Sequence, residues 1–126
     1  MDSKDEFEIK DMTDDCIFCK IAGGEIPAKV VFRNDKVLAI EDVNPQAPVH
    51  LLVMPIEHYD SLLQVVCDDE NEDLQLGLIE AAATLGEKHS TGGYRIVVNT
   101  GHDGGQTVGH LHIHVLAGRR MTWPPG

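Results

Sequence analysis

Near the C-terminal end, in the stretch GHLHIHVLAGR, His110, His112 and His114 occupy every second position, with Leu111, Ile113 and Val115 between them and Leu116 after. Strict alternation fits a β-strand, because successive side chains of a strand point to opposite faces. The three imidazoles then project from one face about 7 Å apart. Leu111, Ile113 and Val115 form an apolar stripe on the other face, which can meet a core. A lone histidine in a strand is usually a half-exposed polar residue, whereas three in alternation point to chemistry on that face.

The rest of the chain supplies a sheet for this strand to join. AKVVFRNDKVLAIED reads as two strands around the turn RND, and APVHLLVMP as a third strand stopped by Pro55. A short helix fits between Glu57 and Val66. NEDLQLGLIEAAATLGEKHS is the strongest helical segment, since Leu74, Leu78, Ala81 or Ala82 and Leu85 recur at three- and four-residue steps and make one apolar face. The glycine pair after Thr91 fits a C-cap. YRIVVN and HLHIHVL follow as strands joined by the loop TGHDGGQTVG, and so short a connection predicts antiparallel pairing. The expected fold is α+β: an antiparallel sheet of about five strands with one main helix and a shorter one.

With 126 residues the chain has the length of one domain. Residues 1–13 alternate charge with isolated apolar residues and read as an acidic, flexible arm, so the folded domain is expected over 14–126. The net charge of −11 argues against binding a nucleic-acid backbone, and no apolar run has the length of a membrane span. Charge is unevenly spread, with seven acids against two lysines in residues 1–15 but only Asp103 against Arg95, Arg119 and Arg120 in residues 92–126. The histidine end is therefore the end suited to face an anion. No export signal is legible at the N-terminus and three cysteines make no disulfide framework, which together predict a cytoplasmic protein.

The loop before the histidines completes a phosphate site on paper. Gly104 and Gly105 permit positive φ and close ligand approach, and Gln106, Thr107 and nearby main-chain N–H groups are uncharged donors. Imidazole, with an ordinary pKa near 6.5, can attack phosphorus at neutral pH, and such chemistry needs donors for the non-bridging oxygens. Asp42 is a carboxylate that can accept from both hydroxyls of a vicinal diol, or else a solvated strand-end acid. Cys16 and Cys19, in CIFC, have the C-x-x-C spacing of half a zinc site, with His50 and His110 as candidates for the other half; the alternative is a pair of inert buried thiols.

GHLHIHVLAGR resembles the His-φ-His-φ-His-φ-φ signature of the histidine triad (HIT) superfamily, where φ is apolar. The likeness runs from CIFCKIAGGEIPAKVVF through NPQAPVHLLVMP and YRIVVNTGHDGGQTVGHLHIHVLAGRRM to the final WPPG, about residues 14–126. The WPPG tail with GGQTVGHLHIHVLAGR is similar to the histidine triad nucleotide-binding proteins, the purine nucleoside phosphoramidase branch. That resemblance implies a homodimer with its two sheets joined into one, and hydrolysis of adenosine or guanosine 5′-phosphoramidates. It assigns nucleophilic attack on the α-phosphorus, through a nucleotidyl-histidine intermediate, to His112. Phosphate binding falls to His114 with Asn99, Gly105, Thr107 and the Val108 N–H, and Gln106 belongs to the same loop. Asp42 is implied to hold the ribose, and Phe18, Ile21, Ile40, Val43 and Leu52 the base. Trp123 is implied to lie at the partner subunit's site.

The resemblance also implies a structural zinc ion on Cys16, Cys19, His50 and His110, with no ion needed for the chemistry. Two other readings compete with the phosphoramidase: a purine-nucleotide sensor or adaptor module, and a dinucleoside polyphosphate hydrolase of a sister branch. His58, His89 and Cys67 receive no role, and His102 reads as part of a solvent-facing turn. Arg119 and Arg120 either balance phosphate charge or pair with the acidic segment DDENED.

Overall fold

The computed structural model describes residues 15–126; the expected acidic arm over 1–13 lies outside the described residues. Along the chain run α1 (Ile17–Ala22), β1 (Val30–Arg33), β2 (Val37–Glu41), β3 (Val49–Pro55), α2 (Leu62–Val66), a 3₁₀ turn (Asp69–Asn71), α3 (Glu72–His89), β4 (Tyr94–Val98) and β5 (Ile113–Ala117). The strands form one antiparallel sheet in the order β1-β2-β3-β5-β4. The α+β class, the five strands and the dominant helix are as the periodicities predict.

Alternation along β2, β3 and β5 sends apolar side chains to both faces of the sheet, and each face has its own core. On one face α3 lays Leu74, Leu78, Ala81, Ala82 and Leu85 against Val37, Ala39, Leu51, Val53, Leu111, Ile113 and Val115. Gly86 lets α3 approach β4, because a Cβ there would stand 2.5 Å from the Tyr94 ring. On the other face a smaller cluster joins Phe18 and Ala22 of α1 to Leu38, Ile40, Leu52 and Met54. The stripe of Leu111, Ile113 and Val115 thus faces the larger core, and the histidines face the side that α1 only partly covers.

Three local features differ from the sequence expectations. The strand begins at Ile113, not His110, because the Leu111 N–H donates to the Tyr59 carbonyl at 2.7 Å and so leaves the ladder. α3 ends at His89 with Ser90 extended as its cap, so Gly92 and Gly93 belong to the connection beyond it. α1 has no counterpart in the expected elements. Its six residues are too few to show a helical period, and it is held by its ends: the Cys16 Sγ accepts the Cys19 N–H at 3.4 Å and the Gly23 N–H closes on the Cys19 carbonyl at 2.9 Å. Among the described residues no helix is long and apolar enough to cross a membrane.

Candidate functional site

The antiparallel register of β3 and β5 decides which histidines meet. It pairs Leu52 with His114 and His50 with Leu116, so travelling along β5 toward His110 means travelling along β3 toward Pro55 and beyond. Two separate histidine clusters result. His110 meets the segment after Pro55, which carries His58, and His114 meets His50.

The first cluster is Cys16, Cys19, His58 and His110, whose ligand atoms all lie within 4.8 Å of one another. His110 Nδ1 is 3.3 Å from Cys16 Sγ and 3.5 Å from Cys19 Sγ, and His58 Nδ1 is 3.3 Å from Cys19 Sγ. Hydrogen bonds on the far side of each ring fix its tautomer. His110 Nε2–H donates to the Pro55 carbonyl at 2.8 Å, and His58 Nε2–H to Asp60 Oδ1 at 2.9 Å; both partners accept only. Each Nδ1 lone pair is therefore turned toward the thiols. Burial and the neighbouring His58 and His112 lower His110 to about 4 despite the Pro55 hydrogen bond, so the ring is neutral at pH 7. Burial, then the hydrogen bond and charge of Cys16, push the Cys19 thiol up to about 12. A divalent cation inverts that preference by stabilising thiolates. Two sulfurs and two oriented imidazole nitrogens, each ring backed by an oxygen, suit a closed tetrahedral zinc site.

His50, the ligand expected from the sequence, is not in this cluster; His58 stands in its place. The register puts His50 at the other end of the triad. The register that sets His50 opposite Leu116 is not legible in the sequence, whereas Asp60, a carboxylate two residues from His58, was a signal in favour of His58.

The second cluster, Asp42, His50 and His114, also has three candidate ligands within reach of one another. Its tautomers oppose metal binding. The Gln46 main-chain N–H donates to His50 Nδ1 at 3.0 Å, so in the neutral ring the proton sits on Nε2. That Nε2–H points at His114 Nδ1, 2.9 Å away, with Asp42 Oδ2 at a longer 3.4 Å. Since His114 Nδ1 accepts, its own proton is on Nε2. Burial lowers His50 against the pull of Asp42, and burial followed by the charges of His112 and His50 lowers His114 to about 4, so both rings are neutral at pH 7.

His112 stands between the clusters with the opposite polarity. Its Nδ1–H donates to the His110 carbonyl at 2.8 Å, which leaves Nε2 as a lone pair. The ring centroids of His112 and His114 are 5.0 Å apart, and Phe18 stands edge-on to His112 at 5.0 Å and to His110 at 5.8 Å. The pair thus presents an unprotonated nitrogen from one ring and an N–H from its neighbour.

A cleft of about 320 Å³ runs beside this pair. It brings together Phe18, Ile21, Ile40, Asp42, Val43, Leu52, Thr107, Val108, His112 and His114 from the sequence expectations, and adds Ile17, Ile26, Pro27, Ala28 and Glu41. Apart from Glu41 at the end of β2, the added residues come from α1 and the extended segment after it, whose path no periodicity reveals. Asn99, Gly105 and Gln106 are not among its lining residues and instead shape the loop above it. Asn99 Nδ2 donates to the Gly104 carbonyl at 2.7 Å, and the Gly105 N–H closes a turn on His102 at 3.0 Å. Gly104 is required there because a Cβ would collide with the Thr100 carbonyl oxygen. Gln106 spends its amide on the Asp60 carbonyl at 2.7 Å and the Val108 carbonyl at 3.0 Å, tying this loop to the segment that carries His58. Trp123 is 83% exposed and outside the cleft.

The HIT domain family model matches residues 23–121. A HIT-like protein of Synechococcus elongatus is 48% identical over 91% of this chain and all of its own length. A protein of Zea mays described as a 14 kDa zinc-binding protein is 41% identical over the full length of both chains. Among solved structures, a HIT family hydrolase from Legionella pneumophila superposes with a TM-score of 0.82 at 46% identity, covering 89% of this chain and all of that one. By sequence, by fold and by the placement of its three alternating histidines, this chain belongs to the HIT domain family.

Proposed function

We propose that the protein is a purine nucleoside 5′-phosphoramidate hydrolase that works through a nucleotidyl intermediate on His112. The observation that carries this reading is the paired polarity of the triad: a lone pair on His112 Nε2 and an N–H on His114 Nε2 beside one apolar cleft. The base occupies the slot of Phe18, Ile21, Ile40, Val43 and Leu52, the ribose hydroxyls meet Asp42, and the phosphate lies between His112 and His114 under Thr107 and Val108.

His112 Nε2 attacks the α-phosphorus, forming an N–P bond as the P–N bond to the amine breaks. From the nitrogen-protonated substrate the amine departs neutral. Positive charge growing on the His112 ring is met by the Nδ1–H···O bond to the His110 carbonyl, and negative charge on the non-bridging oxygens by His114 Nε2–H. Water then displaces the imidazole, releasing the nucleoside monophosphate, with its proton passing to solvent. A zinc ion held by Cys16, Cys19, His58 and His110 supplies structural cross-linking and no step of the chemistry. The zinc-binding description of the maize relative supports this, as does the hydrolase description of the Legionella protein for the enzyme. In the same reading the protein works in the cytoplasm as a homodimer, with β4, an edge strand of half-buried side chains, and the exposed Trp123 available to a second copy.

The test is release of monophosphate, followed by ³¹P NMR, from adenosine and guanosine 5′-phosphoramidates and from a diadenosine polyphosphate. Preferential cleavage of the phosphoramidates supports the proposal. Preference for the polyphosphate moves the protein to the sister branch, and tight binding without turnover makes it a nucleotide-sensing module.

A further inference from the structure

The tautomer of His114 depends on His50, and that of His50 on the Gln46 main-chain N–H, which sits in the loop 44–48, exposed except at Ala47. Two contacts from the turn after β5 hold this loop. Arg119 Nε donates to the Gln46 carbonyl at 2.9 Å. Gly118, at φ +93°, brings its backbone so close to Pro48 that a Cβ would lie 2.8 Å from the Pro48 Cβ. Arg119 does not line the nucleotide cleft, and its Nη1 is directed to the Arg120 carbonyl at 3.3 Å. Neither sequence expectation for this arginine, phosphate balance or pairing with DDENED, describes these contacts; among the described residues it is bonded to main-chain carbonyls.

We infer that Arg119 is a positioning residue: with Gly118 it clasps the 44–48 loop so that Gln46 N–H saturates His50 Nδ1 and the proton on His114 stays on Nε2, toward substrate. The inference rests on the phosphate-binding role proposed for His114. The chain of bonds runs from Arg119 to the Gln46 carbonyl, within the same residue from carbonyl to N–H, then to His50 and to His114. Without the clasp the loop moves, His50 Nδ1 loses its fixed donor, and both rings can exchange tautomers. Misdirected donors at a reacting centre lower turnover much more than they lower ground-state binding.

The experiment combines kinetics with a direct reading of the tautomers. In protein labelled with ¹⁵N at histidine, two-bond ¹H–¹⁵N correlations report which nitrogen of His50 and His114 is protonated in wild type, Arg119→Ala, Arg119→Lys and Gly118→Ala. The expected result is Nε2–H for both rings in wild type and mixed tautomers in Arg119→Ala and Gly118→Ala, with Arg119→Lys between. On a phosphoramidate, kcat of Arg119→Ala falls roughly ten- to hundredfold while KM changes less than about twofold. Wild-type tautomers in both Arg119→Ala and Gly118→Ala overturn the inference. A tautomer shift in a protein that turns over no phosphoramidate overturns the proposed activity and leaves the clasp standing, so the two failures are distinguishable.

Discussion

His50 Nε2 and His114 Nδ1 lie 2.9 Å apart, and this contact holds His50 at the His114 end of the triad, away from the cysteines that His110 and His58 face. With Gln46 N–H on its other nitrogen, His50 has no lone pair to offer an ion, whereas His58 and His110 each turn one toward the thiols.

The metal assignment is therefore testable residue by residue. His58→Ala, and the double change Cys16→Ser with Cys19→Ser, are expected to abolish the roughly stoichiometric zinc measured by elemental analysis and to lower Tm by several degrees, as loss of a structural site does. His50→Ala is expected to keep its zinc. Zinc lost from His50→Ala and retained in His58→Ala contradicts the assignment.

That distinction also shows what the sequence makes legible. Alternation at Leu111, Ile113 and Val115 and the three- and four-residue steps from Leu74 to Leu85 reveal the larger core, because both report which side chains share a face. Most of the cleft residues were legible through resemblance to the triad family. The pairing of His58 with His110 was not, because it follows from strand register across a separation of 52 residues and from the fold-back at Tyr59 that accepts the Leu111 N–H. The α1 wall was hidden because a six-residue helix anchored at Cys16 carries no period.

The lowered His50 and His114 predict an acid limit on stability. Each ring binds its proton more weakly folded than unfolded, so the unfolded chain takes up more protons as pH falls below the ordinary 6.5. Stability is therefore full above about 6.5 and declines as pH drops toward about 4. Urea unfolding of wild type and His114→Gln across that window is expected to show the shallower pH slope in the variant. Equal slopes contradict the half-buried, neutral His114.

Asp42 is expected to act through the ribose. Asp42→Asn should weaken binding of adenosine monophosphate by about 1–3 kcal/mol, while leaving the affinity for its 2′,3′-dideoxy analogue within about twofold, because a carboxylate accepts from both hydroxyls and an amide from one. Titration calorimetry on the two ligands checks it. Equal losses on both show that Asp42 acts elsewhere, for instance through its 3.4 Å contact with His50.

The loop glycine at 104 is expected to be indispensable in shape. Gly104→Ala places a methyl against the Thr100 carbonyl oxygen, which must shift the turn that Asn99 and Gln106 support. Monophosphate affinity should fall several-fold, with Tm little changed because the loop is exposed. Unchanged affinity shows that the loop's conformation is not what holds the phosphate.

The central claim, covalent catalysis by His112, is met most directly by intact-protein mass spectrometry after rapid, acid-free quenching with an adenosine 5′-phosphoramidate. The account predicts an added adenylyl group on wild type during turnover. His112→Ala should show neither adduct nor turnover, yet bind adenosine monophosphate within about tenfold of wild type, roughly 1.4 kcal/mol. Turnover that persists in His112→Ala, or an adduct that forms on that variant, contradicts it.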